Sequence, residues 1–327
     1  MRRRNFLAAA GAALTWPLAA RAQTAGHMPT IGVLMVIAEN DEEGQTRIRA
    51  FREGLAAAGW VDGRTAKIVY RWAGGKSELI AQYASELVAL KPDVILANGT
   101  PAVIALKSLG TMIPIVFALV LDPVGVGAVQ SLSRPGSNIT GFSFINAEII
   151  GKWRELLAEV APAGTNSALL FNPKVNPWYY SFLRELDAAP QPAGKIVATP
   201  VESFEQIKAV LAVQAAAGGT LIVAPDAFAV TYIKEIAALT LEHKLPAVSV
   251  YRQFVTEGGL MSYGPDLPDI FHRSAGYVDR VLKGANPADL PVQDPTKFNF
   301  AINTKAAKTL GLTMPQSLLA TADEVIE

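Results

Sequence analysis

The sequence predicts an α/β fold, in which strands of parallel sheet alternate with helices that pack on both faces. Short runs of branched apolar residues recur along the chain, and segments with helical spacing of apolar residues separate them. Runs as apolar as "LIVA" are typical of strands that are buried on both faces. With 327 residues, 50% of them hydrophobic, the chain is long enough to form two such units.

Four strand–helix units are predicted in the first half. "PTIGVLMVI" is the first strand, and the helix after it places Ile48, Phe51 and Leu55 on one face. The next strands are "AKIVYRWA", "DVILANG" and "IPIVFAL". We expect helices after them at 76–90, from Pro101 onward and at 124–131.

The second half repeats the alternation and then departs from it. Its predicted strands are "SALLFNP", "KIVATPV", "TLIVAPD" and "PAVSVY". We expect helices after the first three at 177–188, 204–217 and 227–243. The tail adds a strand in "EGGLMSYGPD", a helix at 267–282, and a strand and helix in "TKFNFAINTKAAKTLGL".

The stretch "LSRPGSNITGFSF", at 132–144, is rich in Pro, Gly and Ser and interrupts the alternation. It therefore predicts a crossover between two lobes, and the chain returns near 251–260. We expect an N-terminal lobe of residues 28–138 plus 255–285 and a C-terminal lobe of residues 139–254 plus 286–327.

Charge and cysteine content narrow the classes of function. Lysine and arginine total 29, against 29 aspartates and glutamates, and removal of an N-terminal segment with four arginines leaves a net charge of about −4. Because nucleic-acid binding needs a basic face, we expect no nucleic-acid partner. The chain has no cysteine, which excludes disulfides, thiolate metal sites and a cysteine nucleophile.

The N-terminus predicts export. "MRRRNFLAAAGAALTWPLAARAQ" has a basic start, an apolar run and the small-x-small end "ARA", which together indicate a secretory signal cleaved before Gln23. We therefore expect residues 1–22 to be removed and the mature protein to lie in the periplasm. "RRNFL", at 3–7, also resembles the twin-arginine motif, so the general secretory route and the twin-arginine route are both open.

Candidate ligand contacts are the residues that directly follow the predicted strands, because ligands of open α/β sheets bind beyond the carboxyl ends of the strands. After "DVIL", Gly99 lets the chain turn, Thr100 is a good helix N-cap and Pro101 suits the first helical position. With Ala102, these residues predict an anion-binding helix terminus. The other candidates are found in the same way: Asn40, Ala118, Asn172, Trp178, Asp226 and Tyr251.

Each candidate also has a purely structural interpretation. A Thr-Pro pair caps helices in many proteins, and an aspartate that opens a helix, as Asp226 does, is often a cap. Asp226 would otherwise bind a ligand ammonium or hydroxyl group. Trp178 either stacks on a ligand or covers a loop, and Asp122 before Pro123 is typical of a turn.

The sequence shows no catalytic or metal-binding constellation. The three histidines, His27, His243 and His272, have no spacing that makes a metal pair. "GFSF" lacks a glycine of the nucleophile elbow, "GVGAVQ" fails the dinucleotide-binding pattern, and there is no Walker loop. We therefore expect no catalysis, no metal and no cofactor.

Several longer stretches follow one another in a characteristic order: "GTPAVIALK", "IPIVFALVLDPVGVGAVQSLSRPGSNITG", "FVTEGGLMSYGPD", "YVDRVLKGANPADLPVQDPTKFNFAINTKAAKTLGL" and "SLLATADEVIE". Together they cover essentially the whole mature chain, which resembles the ABC-transporter substrate-binding proteins of the tryptophan- and tyrosine-binding kind. The resemblance implies a type I periplasmic-binding-protein fold, in which two Rossmann-like lobes joined by a three-segment hinge close on a small ligand. It also implies a ligand carboxylate at Thr100 to Ala102 and an amine at Asp226.

The same resemblance implies an ABC permease with its ATPase as partners, and we expect a monomer that delivers an amino acid, aromatic or other, or a related carboxylate. The loop "IAENDEEG" has no Ser or Thr pair of the sort that helps to hold an amino-acid carboxylate, which leaves an aromatic carboxylate or another small organic acid open. The alternative is an exported α/β enzyme or a ligand sensor. A transcription regulator of this fold would need a helix-turn-helix where this chain has an export signal.

Overall fold

The structure is a computed structural model that describes residues 27–145, 147–180, 183–184 and 194–327. The predicted signal, 1–22, lies outside the described residues, as does much of the helix expected at 177–188. The described chain forms two open sheets, of five and seven strands, with helices packed against them. None of the helices in these ranges combines the length and the apolar character that crossing a bilayer requires.

The first sheet is built from β1 (Thr30–Met35), β2 (Lys67–Trp72), β3 (Val94–Asn98), β4 (Ile115–Val120) and β5 (Ile139–Ser143). All five strands are parallel, in the order β2-β1-β3-β4-β5. The helices between them are α1 (Glu42–Ala57), α2 (Ser77–Ala89) and α3 (Gly99–Ser108). Ile48, Phe51 and Leu55 of α1 are buried, as their spacing predicts.

The second sheet contains β6 (Ser167–Phe171), β7 (Ile196–Pro200), β8 (Thr220–Val223), β9 (Ala247–Ser249), β10 (Met261–Pro265), β11 (Phe298–Asn303) and β12 (Glu324–Ile326). Their order is β12-β11-β10-β9-β8-β6-β7, and β11 is antiparallel to β10. Further α-helices of the described residues are α4 (Ala147–Ala158), α5 (Phe204–Ala216), α6 (Ala227–Thr231), α7 (Ile233–Glu242), α8 (Arg252–Thr256), α9 (Leu267–Leu282), α10 (Thr304–Leu310) and α11 (Gln316–Thr321).

The chain passes between the two sheets three times: between β5 and α4, between β10 and α9, and between α9 and β11. Helix α9 packs against α1 and β4 of the first sheet although it follows a strand of the second. The third crossing binds the end of β5, because Gln293 donates its backbone N–H to Gly141 O at 3.0 Å and Ser143 donates its backbone N–H to Gln293 O at 2.9 Å. The third crossing is therefore fixed to the edge strand of the first sheet, where the first crossing begins.

Two boundaries of the predicted lobes do not follow the sheets. The prediction places 139–143 in the C-terminal lobe, but β5 pairs with β4 of the first sheet. It places 261–265 in the N-terminal lobe, but β10 pairs with β9 and β11 of the second. The crossings thus begin after β5 and after β10, because strand pairing continues past the Pro- and Gly-rich stretches. That the two lobes move as separate units stays a prediction.

Two predicted helices also differ in the structure. Residues 124–131 form turns, because Gly127 has φ +67 and the Asp122 carboxylate accepts a hydrogen bond from Gly125 N at 2.8 Å. Asp122 is therefore the turn residue that its sequence context indicates. The helix expected at 227–243 is interrupted at Tyr232, whose φ of −113° and ψ of 19° separate α6 from α7.

A substitution at Gly141 tests whether β5 pairs with β4 in the first sheet. Its φ is +153, and a Cβ atom there would collide with the Phe117 carbonyl oxygen of β4. We expect Gly141→Ala to lower the free energy of unfolding by about 1–3 kcal/mol, the usual cost of overpacking, as measured by urea denaturation.

The matched control is Gly276→Ala in α9, where no heavy atom lies within 4 Å of the added Cβ. Alanine favours helices by about 1 kcal/mol over glycine, so the control should be as stable as wild type or slightly more stable. Equal stability of the two variants would contradict the pairing of β5 with β4.

Candidate functional site

One cleft lies at the point in each sheet where the strand order reverses. In the first sheet the chain continues from β1 to β2 on one side and from β3 to β4 on the other. In the second sheet it continues in the same way from β6 to β7 on one side and from β8 to β9 on the other. The crevice beyond the carboxyl ends of such a pair is the usual ligand site of an open α/β sheet. Segments that follow all four strands line this common cleft.

The cleft has two walls. The N-terminal wall consists of Val36, Ile37, Arg47, Asn98, Gly99, Thr100, Pro101, Leu119 and Leu121. The C-terminal wall consists of Val175, Asn176, Trp178, Tyr179, Pro225, Ala227 and Tyr251, with Phe144 contributed by the first crossing. The space between them is only about 40 Å³, which admits a few water molecules at most.

Three larger depressions lie away from these strand ends among the described residues. One, of about 380 Å³, covers the outer side of α1, and another, of about 410 Å³, lies against β7. The third, of about 850 Å³, lies beside the second crossing and includes Arg252 and Glu324. The cleft differs from all three because most of its lining residues are buried and because they come from the ends of strands in both sheets. The cleft is therefore the candidate site.

A buried carboxylate, that of Asp226, holds the C-terminal wall together. The residue is 1% exposed, and its Oδ1 accepts hydrogen bonds from the N–H groups of Phe228 at 2.7 Å and Ala229 at 3.1 Å, which makes it the N-cap of α6. Its Oδ2 accepts from the backbone N–H of Asn172 at 2.9 Å and from the side-chain amide of Asn176. Asp226 thus joins the loop after β6 to the helix after β8.

Burial dominates the electrostatics of this wall. It raises the pKa of the Asp226 carboxyl, while the four donated hydrogen bonds act in the opposite direction. Burial raises the pKa of Tyr179 well above its ordinary value, with the Asp226 charge as a further cause, and the Tyr179 hydroxyl donates to Pro225 O at 2.8 Å. The pKa of Tyr251 is also raised by burial, against the effect of the Arg47 guanidinium. Both phenols are therefore neutral at physiological pH.

The N-terminal wall contains the start of α3. This helix begins at Gly99, whose φ of +81 lets the chain turn as the sequence predicts. The N-cap position belongs to Asn98 and not to Thr100, and no side chain caps the helix. Thr100 Oγ1 instead accepts a hydrogen bond from Leu121 N at 3.0 Å. The predicted capping role of Thr100 is therefore wrong, because its hydroxyl connects α3 to the segment after β4.

Arg47 reaches the same wall from α1. Its side chain is 2% exposed, and its Nε and Nη2 atoms have no hydrogen-bond partner. Nη2 lies 3.5 Å from Glu43 Oε2, and the guanidinium carbon lies 5.5 Å from the centroid of the Tyr251 ring. Among the described residues that line the cleft, Arg47 is the one ionised side chain.

The structure brings together four of the nine residues predicted from the sequence. Thr100, Pro101, Trp178 and Tyr251 line the cleft. The other five do not line it: Asn40, Ala102, Ala118, Asn172 and Asp226. Asn40 is exposed in the turn before α1, whereas the other four are buried behind the walls. That the four lining residues contact a ligand stays a prediction.

Sequence reasoning missed Arg47, although the sequence contains a signal for it. Arg47 lies on the buried stripe of α1 with Gly44, Ile48 and Phe51. A charged residue on an apolar stripe is unusual enough to mark a candidate. Asn176 carries no such signal, because its place in the cleft depends on the loop after β6 and on no periodicity.

Asp226→Asn is expected to lower the free energy of unfolding by about 1–3 kcal/mol, because an amide nitrogen would replace an oxygen that accepts two hydrogen bonds. Urea denaturation measures the change. The matched control is Asp122→Asn, whose amide oxygen can still accept from Gly125 N at the surface, so its stability should change by less than about 0.5 kcal/mol. A stability of Asp226→Asn equal to that of the control would contradict the structural role of this carboxylate.

Comparison with known proteins agrees with this architecture. Residues 30–326 match the model of the family described as ABC transporter substrate binding protein. A curated relative, the tyrosine-binding protein of Clostridioides difficile strain R20291, is 25% identical over 264 residues, which are 81% of this chain and 76% of the relative.

Two solved structures are similar over nearly the whole chain. The ABC domain in complex with L-Trp from Streptococcus pneumonia is 27% identical with a TM-score of 0.81, covering 92% of this chain and 100% of that one. A conserved domain protein from Vibrio cholerae O1 biovar El Tor strain N16961 is 26% identical with a TM-score of 0.81, covering 91% and 100%.

The two lobes of parallel sheet flanked by helices are the fold of type I periplasmic binding proteins. The family that matches consists of substrate-binding proteins rather than enzymes. Since the family model spans nearly all of the described chain, this protein belongs to the ABC transporter substrate-binding proteins.

Proposed function

We propose that this protein is the periplasmic solute-binding component of an ABC importer, and that its two lobes close on a small organic ligand, which is an amino acid or a related carboxylate. The observation that carries the proposal is a single cleft lined from both sheets at their strand-order reversals. A ligand in that position contacts both lobes, so its binding energy favours their closed arrangement. The closed form is then the one that a permease recognises.

The size of the cleft supports a change in lobe separation on binding. Its free space of about 40 Å³ is far below the roughly 300–1,000 Å³ of sites for drug-sized ligands. A ligand the size of an amino acid can therefore enter only when the walls lie farther apart, and the lobes then close on it. Three crossings join the two sheets in the described chain, so the movement is expected as a rotation about these segments.

The aromatic lining supports a ligand with a planar apolar part. Trp178, Tyr179, Tyr251 and Phe144 all line the cleft. One relative is named a tyrosine-binding protein and another was solved in complex with L-Trp, so aromatic amino acids are the first candidates for this chain. A related aromatic carboxylate is the second, since the described lining contains a guanidinium and no carboxylate.

Export and delivery complete the proposal. The basic, apolar and small-residue pattern of the N-terminus supports a signal cleaved before Gln23, by either the general secretory or the twin-arginine route. The family supports an ABC permease and its ATPase as partners. We expect the mature protein to be a monomer and to bind no nucleic acid.

A thermal-shift screen of the chain from Gln23 tests the function. The ligands are L-tryptophan, L-tyrosine and aromatic carboxylates, with L-lysine as the comparison. A true ligand at 100 times its dissociation constant should add about 2.7 kcal/mol of stability and raise the melting temperature by a few degrees. The absence of any shift with millimolar aromatic amino acids and carboxylates would contradict the proposed ligand class.

A substitution at Gly75 tests the proposed closure of the two lobes. It lies in the first lobe between β2 and α2 with φ +73, and a Cβ atom there would lie 3.2 Å from Ala227 O at the start of α6 in the other lobe. Asparagine tolerates this backbone conformation, but its side chain would wedge the lobes apart. We expect Gly75→Asn to weaken ligand binding by about tenfold and to enlarge the radius of the ligand-saturated protein in X-ray scattering.

The matched control is Gly74→Asn. Gly74 also has a positive φ, of +59, but no heavy atom lies within 4 Å of a Cβ atom there. It should therefore bind ligand as the wild type does. If the two variants have the same affinity and radius, the contact between Gly75 and Ala227 has no part in closure.

A further inference from the structure

Arg47 is a buried cation whose hydrogen-bond donors are not all used inside the protein. The side chain is 2% exposed, and neither Nε nor Nη2 has a hydrogen-bond partner. Arginine is almost never fully buried without a partner, since a charge removed from water and left without hydrogen bonds is costly. The guanidinium of Arg47 therefore has donors to offer at the cleft that it lines.

The contacts that Arg47 does make leave these donors free. Glu43 Oε2 lies 3.5 Å from Arg47 Nη2, and this oxygen also has no hydrogen-bond partner. Glu43 thus partly neutralises the charge of Arg47 but does not accept a hydrogen bond from its Nε or Nη2 atom. The face of the Tyr251 ring, 5.5 Å from the guanidinium carbon, provides a cation–π contact that holds the group beside the cleft.

The start of α3 adds a second preference for an anion in the same cleft. This helix has ten residues, no side-chain cap and no acidic residue in its first turn. Its N-terminus therefore carries roughly half a positive charge that no side chain offsets. Asn98, at the N-cap, is 2% exposed and its Oδ1 atom also lacks a partner. Because the free space is only about 40 Å³, any group placed there lies close to these polar atoms.

The opposite wall offers no matching anion. No aspartate or glutamate is among the described residues that line the cleft. The nearest candidate, Asp226, is 1% exposed and already accepts four hydrogen bonds within the protein. An ammonium group in the cleft would therefore gain less than a carboxylate group.

We propose that Arg47 binds the carboxylate of the transported solute and that the protein selects small monocarboxylates, with or without an α-ammonium group, over amines. This inference rests on the proposed function, because it assigns the chemistry of the same cleft. A guanidinium presents parallel N–H donors that match both oxygens of one carboxylate, and such charge-assisted pairs are about twice as strong as neutral hydrogen bonds. Solute binding thereby also supplies acceptors to two N–H groups, at Nε and Nη2, that have no hydrogen-bond partner within the protein.

Calorimetric titration of the chain from Gln23 with three indole probes tests the inference. L-Tryptophan has both charged groups, indole-3-propionate has the carboxylate alone and tryptamine has the ammonium alone. The first two should bind, and tryptamine should bind at least about tenfold more weakly than either. Arg47→Met should weaken the binding of both carboxylates by about tenfold or more, and Arg47→Lys, which keeps the charge, should restore part of the loss.

The matched control is Arg49→Met, which removes the same charge from an exposed position of the same helix and should leave all affinities unchanged. Tryptamine binding as tight as that of L-tryptophan, or Arg47→Met binding carboxylates like wild type, would overturn the role of Arg47 and leave the proposed function standing.

Failure of all three probes to bind wild type would instead overturn the aromatic solute of the proposed function. In that case the melting temperature of the ligand-free protein tests the role of Arg47. If the cation is retained for an anionic solute, the double variant Glu43→Gln, Arg47→Met should be as stable as wild type or more stable, since both members of the ion pair are replaced. A melting temperature several degrees lower would show that Arg47 is a structural element and overturn the inference.

Discussion

The carboxylate of Asp226 determines the shape of the C-terminal wall, and the cleft depends on that wall. Four donors from the loop after β6 and from α6 converge on its two oxygens. Trp178 and Tyr179 follow Asn176 closely in the chain, and the Tyr179 hydroxyl donates a hydrogen bond to Pro225 O, next to Asp226. A buried polar network stabilises a structure when all its members are satisfied and weakens it when they are not. Asp226 therefore holds the aromatic side chains of this wall in place, although its carboxylate does not line the cleft.

The two walls consequently differ in charge. The negative charge of Asp226 is satisfied inside the C-terminal wall, where the tyrosines are neutral, whereas the N-terminal wall presents Arg47 and the uncapped start of α3. Leu119 in that wall has φ +64 at a register shift of β4, a strained backbone of the kind found at functional sites. A ligand with an anionic end and an apolar body would thus place one part on each lobe. Because such a ligand would contact both lobes, its binding would favour the arrangement in which the lobes are closed.

Most strands could be predicted from the sequence, because runs buried on both faces are continuously apolar. β5 could not, since Gly141 and the Pro- and Gly-rich stretch before it resemble a linker, and its place depends on close contact with Phe117. The rule that ligands lie beyond strand ends located the cleft, yet it also selected Asp226, whose hydrogen bonds are tertiary. Arg47 was missed because it reaches the cleft from a helix face, and only the folded arrangement of α1 shows that.

The central claim is that the two lobes move relative to each other when a solute binds between them. The chain has no cysteine, so two spin labels can be attached uniquely through Ser77→Cys at the start of α2 and Thr231→Cys at the end of α6. Both positions are exposed and lie near the contact between Gly75 and Ala227, one in each lobe. The distance between the labels, measured by pulsed electron paramagnetic resonance, should shift to shorter values when a bound solute reaches saturation. An unchanged distance distribution with the solute fully bound would contradict the account.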